Sequence, residues 1–164
     1  MKFNYLNTEY AIKTHDKIIQ ISGGLYGLKE IGNIDSVLEH VKNEEYYPTF
    51  EEKLNHLVFC VNKFHGFSDG NKRTSIALGT FFLIINGLEN IANKFVIEME
   101  NITVAVAENL IDKEMLFEII YSIINEEEYS EKLKLKIIIA INKIIPSVEI
   151  KNLNDGLDFY LDVL

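Results

Sequence analysis

Along most of this chain apolar residues recur at three- and four-residue spacing, the interval that puts them on one side of an α-helix. From Thr8 to about Ile21, Tyr10, Ile18, Ile19 and Ile21 alternate with polar residues and predict a first amphipathic helix. The pattern breaks at Gly23-Gly24-Leu25-Tyr26-Gly27-Leu28-Lys29-Glu30-Ile31-Gly32, where four glycines predict an extended loop or hairpin. A short helix is expected over Asp35 to Val41, then an acidic, aromatic turn, Glu44 to Pro48. Thr49-Phe50-Glu51-Glu52 has the capping-box form, and Leu54, Leu57, Val58, Val61 and Phe64 continue the helix it opens. That helix should stop near Phe64. Ile76, Ala77, Phe81, Leu83, Ile84 and Ile85 form a further helix, apolar nearly all round and so central, which ends at Asn86-Gly87.

Val104, Ala107 and Ile111 suggest another short helix, and Asp112 caps the next, carried by Met115, Leu116, Ile119, Ile120, Ile123 and Ile124. After the solvated turn Glu126-Glu127-Glu128, Ser130 caps a helix through Leu133, Ile137, Ile138, Ala140, Ile141 and Ile144 that Pro146 stops. The last eighteen residues are acidic with a late apolar cluster, Leu157, Phe159, Tyr160, Leu161, Val163 and Leu164. This stripe is expected to dock on the chain's own bundle and complete its core, the alternative being a surface offered to a partner.

Composition narrows the class. With 164 residues, 48% hydrophobic, the chain can build the core of one mostly helical domain. No apolar run approaches the ~20 residues of a membrane span, and the N-terminus lacks the apolar centre of a signal peptide, so a cytoplasmic protein is expected. The one cysteine, Cys60, sits in an apolar helical pattern and reads as core. A net charge of −9 argues against nucleic acid as a partner. Of the 16 basic residues only Arg73 is an arginine, which points to a place where a planar two-pronged donor is needed.

Arg73 lies in the run His65-Gly66-Phe67-Ser68-Asp69-Gly70-Asn71-Lys72-Arg73, between two apolar helices. Each residue type here has a use in phosphoryl chemistry. The His65 imidazole can take a proton from an attacking hydroxyl, and Asp69 offers a hard oxygen ligand for Mg²⁺. Gly70 lets the backbone approach an anion, and the helix start behind it presents free N–H groups. Lys72 and Arg73 oppose the macrodipole at a helix N-terminus, an arrangement costing ~0.3–1 kcal/mol per charge unless an anion binds there. Phe67, apolar in a polar loop, anchors the loop to the core. Taken singly, a histidine at a helix end, an Asp-Gly turn and a Lys-Arg pair are ordinary surface features; their order and placement together are not.

This run resembles the Fic/Doc superfamily signature, His-x-Phe-x-Asp/Glu-Gly/Ala-Asn-Gly/Lys-Arg, and Lys72 at its eighth place is similar to the death-on-curing branch. Similarity to that branch extends through His15 to Ile19, Gly23 to Lys29, Tyr46 to Lys53 and Phe81 to Gly87, over roughly residues 8 to 125. The resemblance implies an all-α Fido-type helical bundle, with a central motif loop between two core helices and a small glycine-rich flap. It implies a catalytic domain over residues 1–125; residues 126–164 extend past the resemblance, and their own apolar pattern makes them an expected C-terminal helical extension packed on the same domain. It also implies that His65 activates a protein hydroxyl, that Asp69 holds Mg²⁺, and that Gly70, Asn71, Lys72 and Arg73 bind nucleotide phosphates. Leu25, Tyr26, Gly27, Leu28 and Lys29 would be a flap that aligns an extended target peptide by backbone pairing.

Gly66 replaces the proline common after the motif histidine, and Phe64 stands where Asn is frequent. Ile76 occupies the position of the second arginine of adenylylating Fic enzymes. The expected function is therefore a Doc-like kinase toxin using ATP or another nucleoside triphosphate to phosphorylate a Ser or Thr hydroxyl of a target protein. Restraint is expected from a separate antitoxin protein. The alternatives are transfer of AMP and a catalytically silent binding module.

Overall fold

The computed structural model describes residues 2–144 and Tyr160. Among them seven helices follow in order: α1 (Thr8–Ser22), α2 (Ile31–His40), α3 (Phe50–Lys63), α4 (Asn71–Ile85), α5 (Glu89–Ala107), α6 (Lys113–Ile124) and α7 (Glu131–Ile144). The fold is all-α, and α4 is its centre, packed against α1, α3 and α5, while α3 also touches α2 and α6. In α4 the apolar Ile76, Ala77, Leu78, Phe82 and Leu83 are buried, and so are the small polar Thr74, Ser75 and Thr80 between and beside them.

Where local signals mark the helix starts, the chain obeys them. The Asn7 side chain accepts from Tyr10 N–H, and Asp112 Oδ1 accepts from Met115 N–H at 2.8 Å. Thr49 and Glu52 form the reciprocal capping box, and Ser130 Oγ accepts from Leu133 N–H at 3.2 Å. Two expectations change. Helix α2 begins at Ile31 rather than Asp35, so Gly32 sits in its first turn with no close neighbour that would demand a glycine. Helix α5 is 19 residues long, not short, and ends before Ile111, which packs from the following turn. Ile91, Ala92, Phe95, Val96, Met99 and Ile102 bury a continuous face, but Asn90, Asn93 and Asn101 interrupt the apolar count and no capping side chain marks the start.

Helix α7 packs on α5 and α6, and Leu133, Ala140, Ile144 and Tyr160 belong to the same core cluster as the residues of α3 and α4. Cys60 is a buried free thiol in that core. Of the expected C-terminal stripe only Tyr160, 4% exposed, is described; Leu157, Phe159, Leu161, Val163 and Leu164 lie outside the described residues.

Candidate active site

The nine-residue run spans the loop joining α3 to α4 and, from Asn71 to Arg73, the first turn of α4. Phe67 is buried and pins the loop to the core. The Asn71 side chain folds back on it: Nδ2–H donates to the Phe67 carbonyl at 2.9 Å, and Oδ1 accepts from Phe67 N–H at 3.1 Å. These bonds satisfy both main-chain groups of a buried residue that belongs to no helix. They commit Oδ1 and one of the two Nδ2–H groups of Asn71, leaving its backbone N–H and its second Nδ2–H.

Gly70 caps α4 in the left-handed region, φ 74°, where a Cβ would be strained and would lie 2.9 Å from Ile19 Cδ1. The first bond at this end of α4 runs from Thr74 N–H to the Gly70 carbonyl at 2.9 Å, which leaves the N–H groups of Asn71, Lys72 and Arg73 ahead of it. With Lys72 exposed in the same turn and no acidic residue there, this end of α4 is a concentrated positive field.

Asp69 faces that field. Its Oδ1 accepts from Gly70 N–H at 2.6 Å, its Oδ2 accepts from Leu25 N–H at 3.2 Å, and Arg73 Nη2 stands 4.0 Å away. The Gly70 bond chiefly, then the Leu25 bond and the charges of Arg73 and Lys72, hold the carboxyl below its ordinary range, so it is ionised at neutral pH. Arg73 reaches the other way as well, its Nη1 donating to Ser22 Oγ and to the Gly23 carbonyl at 3.0 Å. The lone arginine thus ties the end of α1 to the start of α4. His65 is exposed beside the loop with φ 48°, an uncommon backbone state for a non-glycine residue.

The glycine-rich segment lies along the motif loop. Leu28 and Phe67 form an antiparallel bridge, framed by Ser68 N–H to the Gly27 carbonyl at 2.9 Å and Lys29 N–H to the Gly66 carbonyl at 2.9 Å. The Gly66 carbonyl takes a second bond from Glu30 N–H, and a Cβ on Gly66 would come within 2.5 Å of Ile34. The residue that departs from the family's proline is therefore the one on which the flap is fastened. Leu25, Tyr26 and Leu28 are exposed, and the N–H groups of Tyr26 and Leu28 carry no hydrogen bond among the described residues. A free strand edge of this kind can accept an extended peptide.

Four supports of the loop have no mark in local spacing. His15 lies under Phe67 and bonds the Asp69 carbonyl, Ser22 holds Arg73, Asn33 Nδ2 donates to the Phe64 carbonyl at 2.8 Å, and Ile34 fills the space at Gly66. Likeness to the death-on-curing branch around His15 was the one signal of any of them. Ile76 is 2% exposed and faces the core, so the site has no cation at that position of α4.

Residues 5–83 match the model of the Fic/DOC family. The "Protein kinase doc" of Escherichia phage P1 is 32% identical to this chain over 89 residues, which span 52% of this chain and 70% of that protein. The chain belongs to the Fic/DOC family.

Proposed function

We propose that this chain transfers the γ-phosphoryl group of a nucleoside triphosphate, ATP in the first instance, to a Ser or Thr hydroxyl of a target protein. The observation that carries the reading is the meeting of an ionised Asp69, the Arg73 guanidinium and the free N–H groups of α4, one loop away from an exposed histidine. The name of the phage relative, a protein kinase, supports the same reaction class.

In this reading the target peptide lies along the edge of the flap at Leu25 to Lys29, and its hydroxyl meets His65. The imidazole takes the proton as the hydroxyl oxygen bonds to the γ-phosphorus; the bond from that phosphorus to the bridging oxygen breaks, and the nucleoside diphosphate leaves with the electron pair. The N–H groups of Asn71, Lys72 and Arg73, left free at the Gly70 cap, with the Lys72 and Arg73 cations stabilise the charge on the transferring group.

Mg²⁺ fits the donor set, because it is usually held by one or two carboxylates together with the phosphates it accompanies. Asp69 is such a carboxylate, ionised and half open to solvent, and no group of three His, Cys, Asp or Glu side chains among the described residues makes a site independent of it. When bound, the ion would neutralise phosphate charge. Phosphoryl transfer is favoured over AMP transfer because Lys72 fills the place where a small residue admits the triphosphate, and Ile76 is turned into the core.

We also take residues 126–164 to extend the same domain, since α7 and Tyr160 share its core, and a separate neutralising antitoxin to restrain the activity. No helix among the described residues is long and apolar enough to cross a membrane; the reading places the chain in the cytoplasm with its protein target. Intact-mass analysis of protein targets after incubation with ATP and Mg²⁺ tests the reaction: a phosphate-sized increment is expected, whereas an AMP-sized increment or none would overturn it.

A further inference from the structure

Helix α7 is apolar on two sides. Its inner side places Leu133, Ala140 and Ile144 in the core. On its outer side Leu135, Ile138 and Ile139, spaced to share one face across little more than one turn, are 59%, 54% and 50% exposed. Three large aliphatic side chains on one exposed face mark a contact surface rather than scattered surface residues.

Charge selects the occupant. Helix α7 carries Lys132, Lys134, Lys136 and Lys143 against the single Glu131, a net +3 in a chain of net −9. At 100° per residue Lys132 and Lys143 fall beside Ile139 on one margin of the outer face, and Lys134 falls on the opposite margin beside Ile138. Lys134 is engaged by Glu131 at 3.0 Å and Glu128 at 3.7 Å, and Lys136 lies 3.9 Å from Glu118. Lys132 and Lys143 are exposed and have no carboxylate within ion-pair distance among the described residues. A second copy meeting this face across a two-fold axis would set lysine against lysine. An anionic bilayer would be repelled by the acidic remainder of the chain and would find no aromatic anchor on the face.

We propose that the outward face of α7 is a docking surface for an acidic amphipathic helix of another protein, with apolar side chains on Leu135, Ile138 and Ile139 and carboxylates against Lys132 and Lys143. Helix–groove recognition of this type needs anchors at three- and four-residue spacing and a complementary rim, and α7 supplies both. The face lies beyond the residues that match the family model and takes no part in the proposed transfer reaction.

The test uses the full chain and two fluorescent helical peptides of about 20 residues with one apolar stripe, flanked by Glu in one and by Lys in the other. The Glu-flanked peptide is expected to bind at least about tenfold more tightly, and less tightly as salt is raised. The Ile138→Ser/Ile139→Ser variant should lose binding, and Lys132→Glu/Lys143→Glu should reverse the preference, both with transfer activity unchanged. Equal binding of the two peptides, or none, would overturn the proposal. So would a sedimenting dimer abolished by Ile138→Ser, which assigns the face to a second copy, or adsorption to phosphatidylserine vesicles, which assigns it to membrane. A lowered melting temperature in the serine variant without peptide binding would assign it to the chain's own C-terminal residues.

Discussion

The rings of His15 and Phe67 lie face to face, their centroids 4.0 Å apart and their planes within 5°. His15 is 1% exposed, and its Nε2–H donates to the Asp69 carbonyl at 3.0 Å while Nδ1 stands 3.1 Å from an Asp16 carboxylate oxygen. One side chain of α1 thus fixes the loop at Phe67 and Asp69, on either side of the flap contact at Ser68.

His15→Ala should therefore act on stability and site geometry together. Loss of the ring leaves a cavity against Phe67 and an unpaired Asp69 carbonyl, a cost of about 2–4 kcal/mol. Thermal melting should register it, and His15→Gln, which can keep an N–H toward the carbonyl, should recover part of it. An unchanged melting temperature in the alanine variant would contradict this account of the loop.

Gly24 passes so close to the charged pair that a Cβ would stand 2.6 Å from Asp69 Oδ2 and 3.2 Å from Arg73 Nη2, at φ 126°. Gly24→Ala should displace both groups and reduce transfer by roughly tenfold or more, the worth of one charge-assisted hydrogen bond. Gly32→Ala, which meets nothing within 4 Å, should leave the rate unchanged. Steady-state rates of the two variants decide it.

Away from the site, burial and the Lys113 charge depress the His56 pKa to about 4. In the unfolded chain a histidine takes up its proton near pH 6.5, so protonation between these values favours unfolding. Stability should fall as pH drops from 6.5 to 4, with His56 contributing roughly 3 kcal/mol of that loss. His56→Gln should flatten the dependence of melting temperature on pH across this window; an equally steep dependence would refute the assignment.

The helices whose ends carry local chemistry were legible in the sequence. Thr49 with Glu52, Asp112 and Ser130 act within three residues of themselves, so residue order alone locates them. Helix α5 lacks such a cap, and its length emerges only from packing against α4. The motif was legible for the same reason, being nine consecutive residues. Its supports were not, because the bonds of His15 to Asp69, Ser22 to Arg73 and Asn33 to Phe64 join residues 54, 51 and 31 positions apart. Asn71 shows the limit from within: the run names it, but not the two bonds by which its side chain holds Phe67.

The central claim is that His65 directs a hydroxyl to the terminal phosphate of a nucleotide held at the start of α4. Incubation with a protein target and either γ-³²P-ATP or α-³²P-ATP tests it most directly. Label from the γ position should enter the target, label from the α position should not, and His65→Ala should lower incorporation by about 10²–10⁴. Incorporation from α-³²P-ATP, or full γ-label transfer by the His65→Ala variant, would contradict it.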